Sequence, residues 1–291
     1  MRASSSLERV NGIALHLHRF VDEAAAPSGL TVLLIHGFMD AGGTWDLVAE
    51  PLARAGHEVL APDLRGFGSS SRVGAGGYYH FPDYVADIAA LLDRLSPARL
   101  AMVGHSMGGV IAALYAGAIG ERVERLVLIE GLGTIGSDPD IAIDRMQTWL
   151  RQLKELDRAP RELAAMSDAI SRLAHNHPRV PREILATRAP RLTVTDAQGR
   201  LVWAYDPMHR TRSPTPFQPE VFNAFLRNIT CPTLIVSGGP TGWHAPDEAE
   251  RLACIHRVTT IELPDAGHML HWVVPTELAK ALNEFFTAPA G

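Results

Sequence analysis

The sequence predicts a mostly parallel, doubly wound α/β fold that carries a helical insertion. Short, nearly continuous apolar runs alternate with longer amphipathic patterns, and a long segment, residues 130–232, interrupts this alternation once. Continuous apolar runs suit parallel strands buried on both faces, and amphipathic patterns suit the helices that cover them. A chain of 291 residues is long enough for one large domain of this class with an insertion.

The elements follow one another in a regular order. Residues 7–10 and 13–18 flank Asn11 and Gly12, which tolerate the positive φ of a tight turn, so an antiparallel hairpin is predicted. Six apolar runs then predict strands buried on both faces: residues 31–35, 58–61, 100–103, 126–129, 233–236 and 259–263. Five helical patterns accompany them: residues 45–55, 84–95, 107–118, 247–253 and 275–286. Because strands and helices alternate, the sheet is expected to be parallel.

The interruption predicts a helical cap. Two groups of apolar residues recur there at steps of three and four, which indicates two amphipathic helices: Met146, Trp149, Leu150 and Leu153, then Leu163, Met166, Ile170 and Leu173. We place the cap at residues 137–216 and the α/β core at residues 1–136 and 217–291. Basic residues outnumber acidic ones in residues 140–218, so the cap is expected to be mildly basic.

Charge and hydropathy exclude several classes of protein. A net charge of −5 and a pI near 6.2 argue against a nucleic-acid partner, because such proteins usually present a basic surface. No apolar run is long enough for a membrane span. Glu8 and Arg9 lie where a signal peptide would be apolar, so a cytoplasmic location is expected.

The clearest chemical motif is Gly104-His105-Ser106-Met107-Gly108, which has the form G-x-S-x-G. It lies between the predicted strand 100–103 and the predicted helix 107–118. A nucleophile presented on a sharp strand-to-helix turn needs small neighbours, and the helix N-terminus favours the negative charge that develops during attack. Ser106 is therefore the predicted nucleophile.

A second motif supplies candidate oxyanion donors. His36-Gly37-Phe38 follows the predicted strand 31–35, so its backbone reaches the same edge of the sheet as Ser106. We expect the N–H groups of Phe38 and Met107 to form an oxyanion hole, which stabilises the tetrahedral intermediate of acyl transfer.

The general base is predicted to be His268. It lies in Asp265-Ala266-Gly267-His268, directly after the last predicted strand, where a loop allows its ring to reach Ser106. His271, three residues later, is the alternative. His16 and His18 fall on the predicted hairpin and are expected to face solvent.

With these motifs in this order, the chain resembles the α/β-hydrolase fold family over most of its length. Residues 63–70, Asp-Leu-Arg-Gly-Phe-Gly-Ser-Ser, are similar to the family's D-x-R-G-x-G-x-S loop, and Gly267-His268 is similar to its terminal histidine motif. The order of nucleophile, acid and histidine also agrees with the family. The resemblance implies a structural role for Asp63 and a cap inserted after the sixth strand.

The acid of the triad departs from the family pattern. The family usually places it a few residues after the strand predicted here at 233–236, but residues 237–243, Ser-Gly-Gly-Pro-Thr-Gly-Trp, hold no carboxylate. Members that resemble haloalkane dehalogenases, and some serine hydrolases, place it at the end of the sixth strand, which corresponds to Glu130. The resemblance therefore favours Glu130, and Asp247, Asp138 and Asp140 stay open as alternatives.

A glycine-rich stretch offers a competing interpretation. Residues 131–136 have the form G-x-G-x-x-G directly after a predicted strand, as in dinucleotide-binding sites. In a dinucleotide-binding site these glycines lie at the start of a helix, whereas residues 137–140 add acidic residues and a proline. The glycines are better explained as the exit from the sheet into the cap.

These residues predict a carboxylic ester hydrolase that works without cofactor or metal. Ser106 attacks an ester carbonyl, His268 takes its proton, Glu130 orients the ring, and water releases the acyl-enzyme. A serine nucleophile argues against dehalogenase and epoxide hydrolase chemistry, which needs aspartate. Aromatic and soft side chains suggest an apolar small-molecule ester as substrate; the expected pocket residues are Met39, Trp149, Trp203, Tyr205 and Trp243.

Several other functions remain compatible with the same triad. They are C–C bond hydrolysis, lactone opening, thioester cleavage and acyl transfer to an alcohol. A ligand receptor built on a hydrolase scaffold is the alternative from a different class, and turnover of simple esters separates it from an enzyme.

Overall fold

The computed structural model describes residues 1–136 and 140–289. Its strands are β1 Arg2–Val10, β2 Ile13–Val21, β3 Thr31–Ile35, β4 Glu58–Pro62, β5 Leu100–His105, β6 Arg125–Ile129, β7 Thr193–Thr195, β8 Leu201–Trp203, β9 Thr233–Ser237 and β10 Val258–Glu262. Eight of them form one sheet in the order β1-β2-β4-β3-β5-β6-β9-β10. The strands from β4 to β10 in this order pair in parallel, while β1 and β2 are antiparallel.

The helices cover the sheet and build the insertion. They are α1 Asp46–Arg54, α2 Phe81–Leu95, α3 Met107–Ala118, α4 Ile141–Glu155, α5 Met166–Asn176, α6 Arg182–Leu192, α7 Pro219–Arg227, α8 Glu248–Ala253, α9 Leu270–Val273 and α10 Pro275–Thr287. Within the described residues, no helix combines the length and the apolar character that a membrane crossing requires.

The predicted hairpin and the doubly wound architecture are confirmed. Asn11 and Gly12 take φ values of 47° and 77° at the β1–β2 turn. Alternate residues of β3 face opposite sides: Leu33 packs in the cluster that contains α2 and α3, and Leu34 packs in the cluster that contains α1 and α10. Helices therefore cover both faces of the sheet, as the continuous apolar runs predicted.

The last strand differs from its prediction. Residues 259–263 were expected to be buried on both faces, but Thr259, Thr260 and Glu262 of β10 are exposed. The reason is its position, because β10 is the edge of the sheet and pairs only with β9. Edge strands keep polar side chains toward water, which protects them from pairing with other chains.

The segment between β6 and β9 is not wholly helical. It contains α4 and α5, which correspond to the two helices that the periodicity predicted, and also α6, α7 and the antiparallel hairpin of β7 and β8. Each of these strands is only three residues long, too short for an alternating pattern to stand out in the sequence. The described part of this segment adds no strand to the large sheet.

The inserted segment has a small apolar core that continues into the α/β core. Leu173 of α5 and Leu185 of α6 belong to one buried cluster with Ala41, Met269 and Trp272 of the α/β core. This cluster places α5 and α6 beside the loops that follow β3 and β10. These loops lie at the carboxyl ends of the parallel strands, where Ser106 also lies.

A buried ion pair reinforces that contact. The Arg188 side chain on α6 is 3% exposed and lies 2.5 Å from Asp46 Oδ1 at the start of α1. The same guanidinium nitrogen donates to the carbonyl of Thr44 at 3.0 Å. The inserted segment is thus tied to the α/β core by charge as well as by apolar packing.

Candidate active site

Ser106 lies on the turn between β5 and α3 with φ 51° and ψ −116°, a conformation that side chains rarely adopt. Its N–H donates to the Ile129 carbonyl at 2.9 Å, which holds the strained turn against the neighbouring strand. A Cβ at Gly104 would overlap the carbonyl of Gly108. The glycines of the motif therefore permit the close approach that presents Ser106.

The loop after β3 lies against this turn. A Cβ built at Gly37 would lie 3.3 Å from Ser106 Cβ, so the backbone of Phe38 starts next to the serine. Met107 is the first residue of α3, and the first N–H groups of a helix have no acceptor within it. Both predicted oxyanion donors thus belong to segments that border Ser106.

His268 is in a short 3-10 turn, Gly267–Met269, which begins five residues after the last residue of β10. Its Nδ1 lies 3.3 Å from Glu130 Oε2, and its side chain is 37% exposed. His105, the residue before Ser106, donates from Nε2 to the carbonyl of His268 at 2.7 Å. Burial lowers the pKa of His105 well below its usual value. The neutral His105 ring therefore links the backbone of His268 to the serine turn.

Glu130 directly follows β6 and has a φ of 50°, and its side chain is almost completely buried. Two backbone N–H groups hold its carboxylate: Gly238 donates to Oε1 at 2.7 Å and Trp243 donates to Oε2. A Cβ at Gly242 would overlap Oε1. Residues 237–243, which lack the acid expected from the family pattern, instead form the binding loop for the Glu130 carboxylate. The sequence analysis did not find this role, because only the folded chain brings the loop to Glu130.

The other candidate acids have different environments. Asp247 precedes α8, and its carboxylate forms an ion pair with Arg251, at 2.9 Å from Nε and 2.7 Å from Nη2. Asp140 directly precedes α4, and Asp138 lies outside the described residues. Glu130 contacts a His268 ring nitrogen, whereas the Asp247 carboxylate is held by Arg251.

The alternative base, His271, is enclosed. Its side chain is fully buried, and its Nε2 lies 2.9 Å from Asp40 Oδ2. Its ring packs 4.5 Å from Trp45 and 4.5 Å from His105, measured between ring centroids. His271 therefore packs against His105 inside the core and offers no accessible nitrogen, whereas the ring of His268 is partly open to solvent.

The expected pocket residues lie in different places. Trp203 and Tyr205 stack on each other with 6.2 Å between centroids and line one cleft. Trp243 donates from its indole N–H to the Gly133 carbonyl at 3.1 Å and lines a second cleft beside Glu130. Trp149 packs on Tyr78. Met39 takes a φ of 58° in the loop after β3.

The expectation that His16 and His18 face solvent is wrong. Their side chains are 18% and 22% exposed and lie 2.9 Å and 3.5 Å from the Asp63 carboxylate. That carboxylate also accepts the N–H groups of Gly42 and Ser69. These contacts are consistent with the structural role that the resemblance implies for Asp63.

Two groups among the described residues have the ligand types for a metal ion. They are His16, His18 and Asp63, and Asp40, His105 and His271, with ligand atoms within 4.8 Å of one another in each group. In both groups a histidine already contacts the carboxylate directly. Neither group includes Ser106 or His268.

Comparison with known proteins identifies the family. The model of the alpha/beta hydrolase fold family matches residues 31–275. A 3-hydroxybutyrate-oligomer hydrolase of Cupriavidus necator is 29% identical over 282 residues, covering 93% of this chain and 94% of that protein. Epoxide hydrolase A of Mycobacterium tuberculosis is 29% identical over 319 residues, covering 95% of each chain. Another matching relative is longer, and this chain spans 41% of its length.

Solved structures agree with the sequence comparison. The thioesterase domain from the curacin biosynthetic pathway superposes with a TM-score of 0.82 at 26% identity, covering 97% of this chain and 99% of that domain. The family match spans the six parallel strands of the large sheet, the serine turn and the His268 turn. The chain therefore belongs to the α/β-hydrolase fold family and is a hydrolase.

Proposed function

We propose that this protein hydrolyses carboxylic esters through an acyl-enzyme on Ser106. The observation that carries the proposal is the contact between His268 Nδ1 and Glu130 Oε2 at 3.3 Å, at the edge of the sheet where Ser106 lies on its strained turn. A histidine held by a buried carboxylate beside a serine is the arrangement that activates a hydroxyl for acyl transfer.

The reaction assigns one role to each group. His268 Nε2 accepts the proton of Ser106 as its oxygen attacks the ester carbonyl. The N–H groups of Phe38 and Met107 stabilise the negative oxygen of the tetrahedral intermediate. His268 then returns the proton to the departing alcohol. In the second half, His268 deprotonates water, which attacks the acyl-enzyme and releases the acid.

The Glu130 carboxylate stabilises the imidazolium form of His268. Its position between the N–H groups of Gly238 and Trp243 fixes the carboxylate before the reaction begins. A prepositioned carboxylate needs little reorganisation as charge develops on the ring. The reaction proceeds with these side chains and needs no metal or cofactor.

Ser106 argues against epoxide hydrolysis, which the name of one relative suggests. Epoxide hydrolysis in this fold uses an aspartate nucleophile that forms an alkyl ester, whereas this chain has Ser106 at the tip of its turn. The relative named as a 3-hydroxybutyrate-oligomer hydrolase is compatible with a serine acyl-enzyme, because the units of such an oligomer are joined by esters. We therefore favour esters over epoxides as substrates.

Reaction with a small fluorophosphonate, followed by intact-mass analysis and peptide mapping, tests the proposal. We expect one adduct on Ser106, none in Ser106→Ala, and repeated turnover of short p-nitrophenyl esters by the unmodified protein only. An adduct that persists in Ser106→Ala contradicts the nucleophile. Labelling of Ser106 without turnover of any ester favours a ligand receptor on the same scaffold.

A further inference from the structure

A cleft in the inserted segment combines aromatic walls with unpaired positive charge. Its lining residues are Pro160, Arg161, Trp203, Tyr205, Pro207 and Arg210. The rings of Trp203 and Tyr205 are nearly parallel, with an interplanar angle of 21°, and both residues are half-buried. The cleft therefore offers a flat apolar wall next to two guanidinium groups.

The positive charge converges on Tyr205. Burial raises the pKa of the Tyr205 phenol, and the nearby charges of Arg210, Arg172 and Arg161 oppose that rise. A fourth arginine, Arg72, donates to the backbone carbonyl of Tyr205 at 3.4 Å. Arg161 and Arg210 therefore line the cleft together with Tyr205, and Arg72 contacts its backbone.

These charges are not neutralised by the chain itself. Among the described residues, Arg72, Arg161, Arg172 and Arg210 form no ion pair with a carboxylate, and Arg210 donates only to the backbone carbonyl of Asp157 at 3.3 Å.

The carboxylates nearest in sequence have other contacts. The Asp157 carboxylate accepts the N–H of Ala159 at 2.9 Å, and Asp206 binds the Tyr79 hydroxyl at 2.8 Å and the N–H of Met208. Glu162 acts electrostatically on Arg200. Like charges gathered without a counter-ion repel one another, so an anionic ligand would be stabilised among them.

A chain of contacts links the cleft to the proposed acyl site. Tyr205 pairs in an antiparallel bridge with Phe67. The ring of Phe67 lies 6.1 Å from the ring of Phe38, whose N–H is a proposed oxyanion donor. Phe38 and Phe67 are thus the apolar side chains that separate the proposed oxyanion donor from Tyr205.

We propose that the Arg161–Arg210 cleft binds a carboxylate at the far end of the substrate's acyl chain. This inference rests on the proposed ester hydrolysis and names its substrate class: esters whose acyl part ends in a free carboxylate. Arginine suits this task, because its planar fork donates two parallel hydrogen bonds to a carboxylate. The stacked Trp203 and Tyr205 would contact the methylene chain.

Matched esters test the proposal. The substrates are the mono-p-nitrophenyl esters of adipic and suberic acid, each compared with its methyl-capped neutral counterpart of the same length. We expect kcat/KM of the unmodified protein to favour the charged ester by about tenfold at one chain length, the size of effect that a charge-assisted hydrogen bond gives. Added salt should reduce this preference.

Arginine variants locate the effect. The double variant Arg161→Gln/Arg210→Gln should lose most of the preference for the charged ester through a higher KM. Arg227→Gln removes one positive charge from the exposed face of α7, where the guanidinium contacts Cys254, and should keep the preference. Equal kcat/KM for charged and neutral esters in the unmodified protein overturns the proposal, as does an equal loss in Arg227→Gln.

The outcome is distinguishable from failure of the proposed function. Turnover of both esters by Ser106→Ala would contradict the acyl-enzyme. The carboxylate site would then be tested by ligand binding. If no ester is turned over, titration calorimetry with monomethyl adipate and dimethyl adipate tests carboxylate binding in the cleft independently of catalysis. Binding of the monomethyl ester only, lost in the double variant, supports the carboxylate site; equal or absent binding of both compounds overturns it.

Discussion

Glu130 Oε2 lies 3.3 Å from His268 Nδ1, although 138 residues separate the two in sequence. The parallel sheet produces this contact, because Glu130 directly follows β6 and the turn after β10 carries His268, both at the carboxyl ends of the strands. The two backbone donors on the carboxylate leave its position independent of His268. Glu130 is therefore suited to select the His268 tautomer that has its proton on Nδ1.

Glu130→Gln should lower kcat on a p-nitrophenyl ester by about a thousandfold or more, because the amide neither stabilises the imidazolium nor enforces the correct tautomer. The measurement is steady-state kinetics on variants with a native circular dichroism spectrum. Asp247→Asn is the matched control. It should leave kcat within a few-fold and lower the melting temperature, since Asp247 pairs with the fully buried Arg251. The opposite ranking would assign the acid to Asp247.

Gly242→Ala should reduce kcat by about a hundredfold without unfolding the protein. A methyl group at this position overlaps Glu130 Oε1, so the carboxylate or its loop must shift away from His268, and small misplacements are costly in catalysis. Gly74→Ala is the control, because its Cβ would meet open space. Unchanged kcat in Gly242→Ala would mean that the position of the Glu130 carboxylate does not limit the reaction.

Local signals in the sequence were enough to predict the serine turn. The apolar strand, the two glycines and the following helix are contiguous around Ser106, and the structure has β5, the strained turn and α3 in that order. The hairpin at Asn11 was predictable for the same reason. In both places the determining residues are sequence neighbours.

Features that depend on distant residues were not predictable in the same way. The binding of Glu130 by Gly238 and Trp243 joins segments more than a hundred residues apart. The exposure of β10 follows from its place at the edge of the sheet, which its own residues do not specify. Likewise, His16 and His18 are only partly exposed because their rings contact the Asp63 carboxylate.

The ion pair between Arg188 and Asp46 should contribute strongly to stability. Arg188→Met removes one partner of a pair whose arginine is 3% exposed, and losing one member of a buried pair typically costs about 3–5 kcal/mol. Arg191→Met is the control, because Arg191 contacts the same carboxylate at 3.1 Å but is 52% exposed; about 1 kcal/mol or less is expected there. Urea unfolding measures both variants, and equal losses would contradict the structural role of Arg188.

Acid should destabilise the protein through its buried histidines, and His209 allows a quantitative test. Burial lowers the pKa of His209 to about 4, whereas an unfolded histidine has a pKa of about 6.5. Between these two values the unfolded chain binds a proton that the folded chain does not, so stability falls as the pH falls. The contribution of this one residue amounts to about 2 kcal/mol at about pH 5.

His209→Gln removes the titration. The ring of His209 stacks on Phe67 at 4.1 Å and packs against Tyr79 at 4.0 Å between centroids, so the variant also loses packing energy. That loss is nearly independent of pH and cancels when two pH values are compared. Urea unfolding at about pH 7 and about pH 5 should therefore show a loss on acidification that is about 2 kcal/mol smaller in the variant. Equal losses in both proteins would mean that His209 takes up its proton in the folded state.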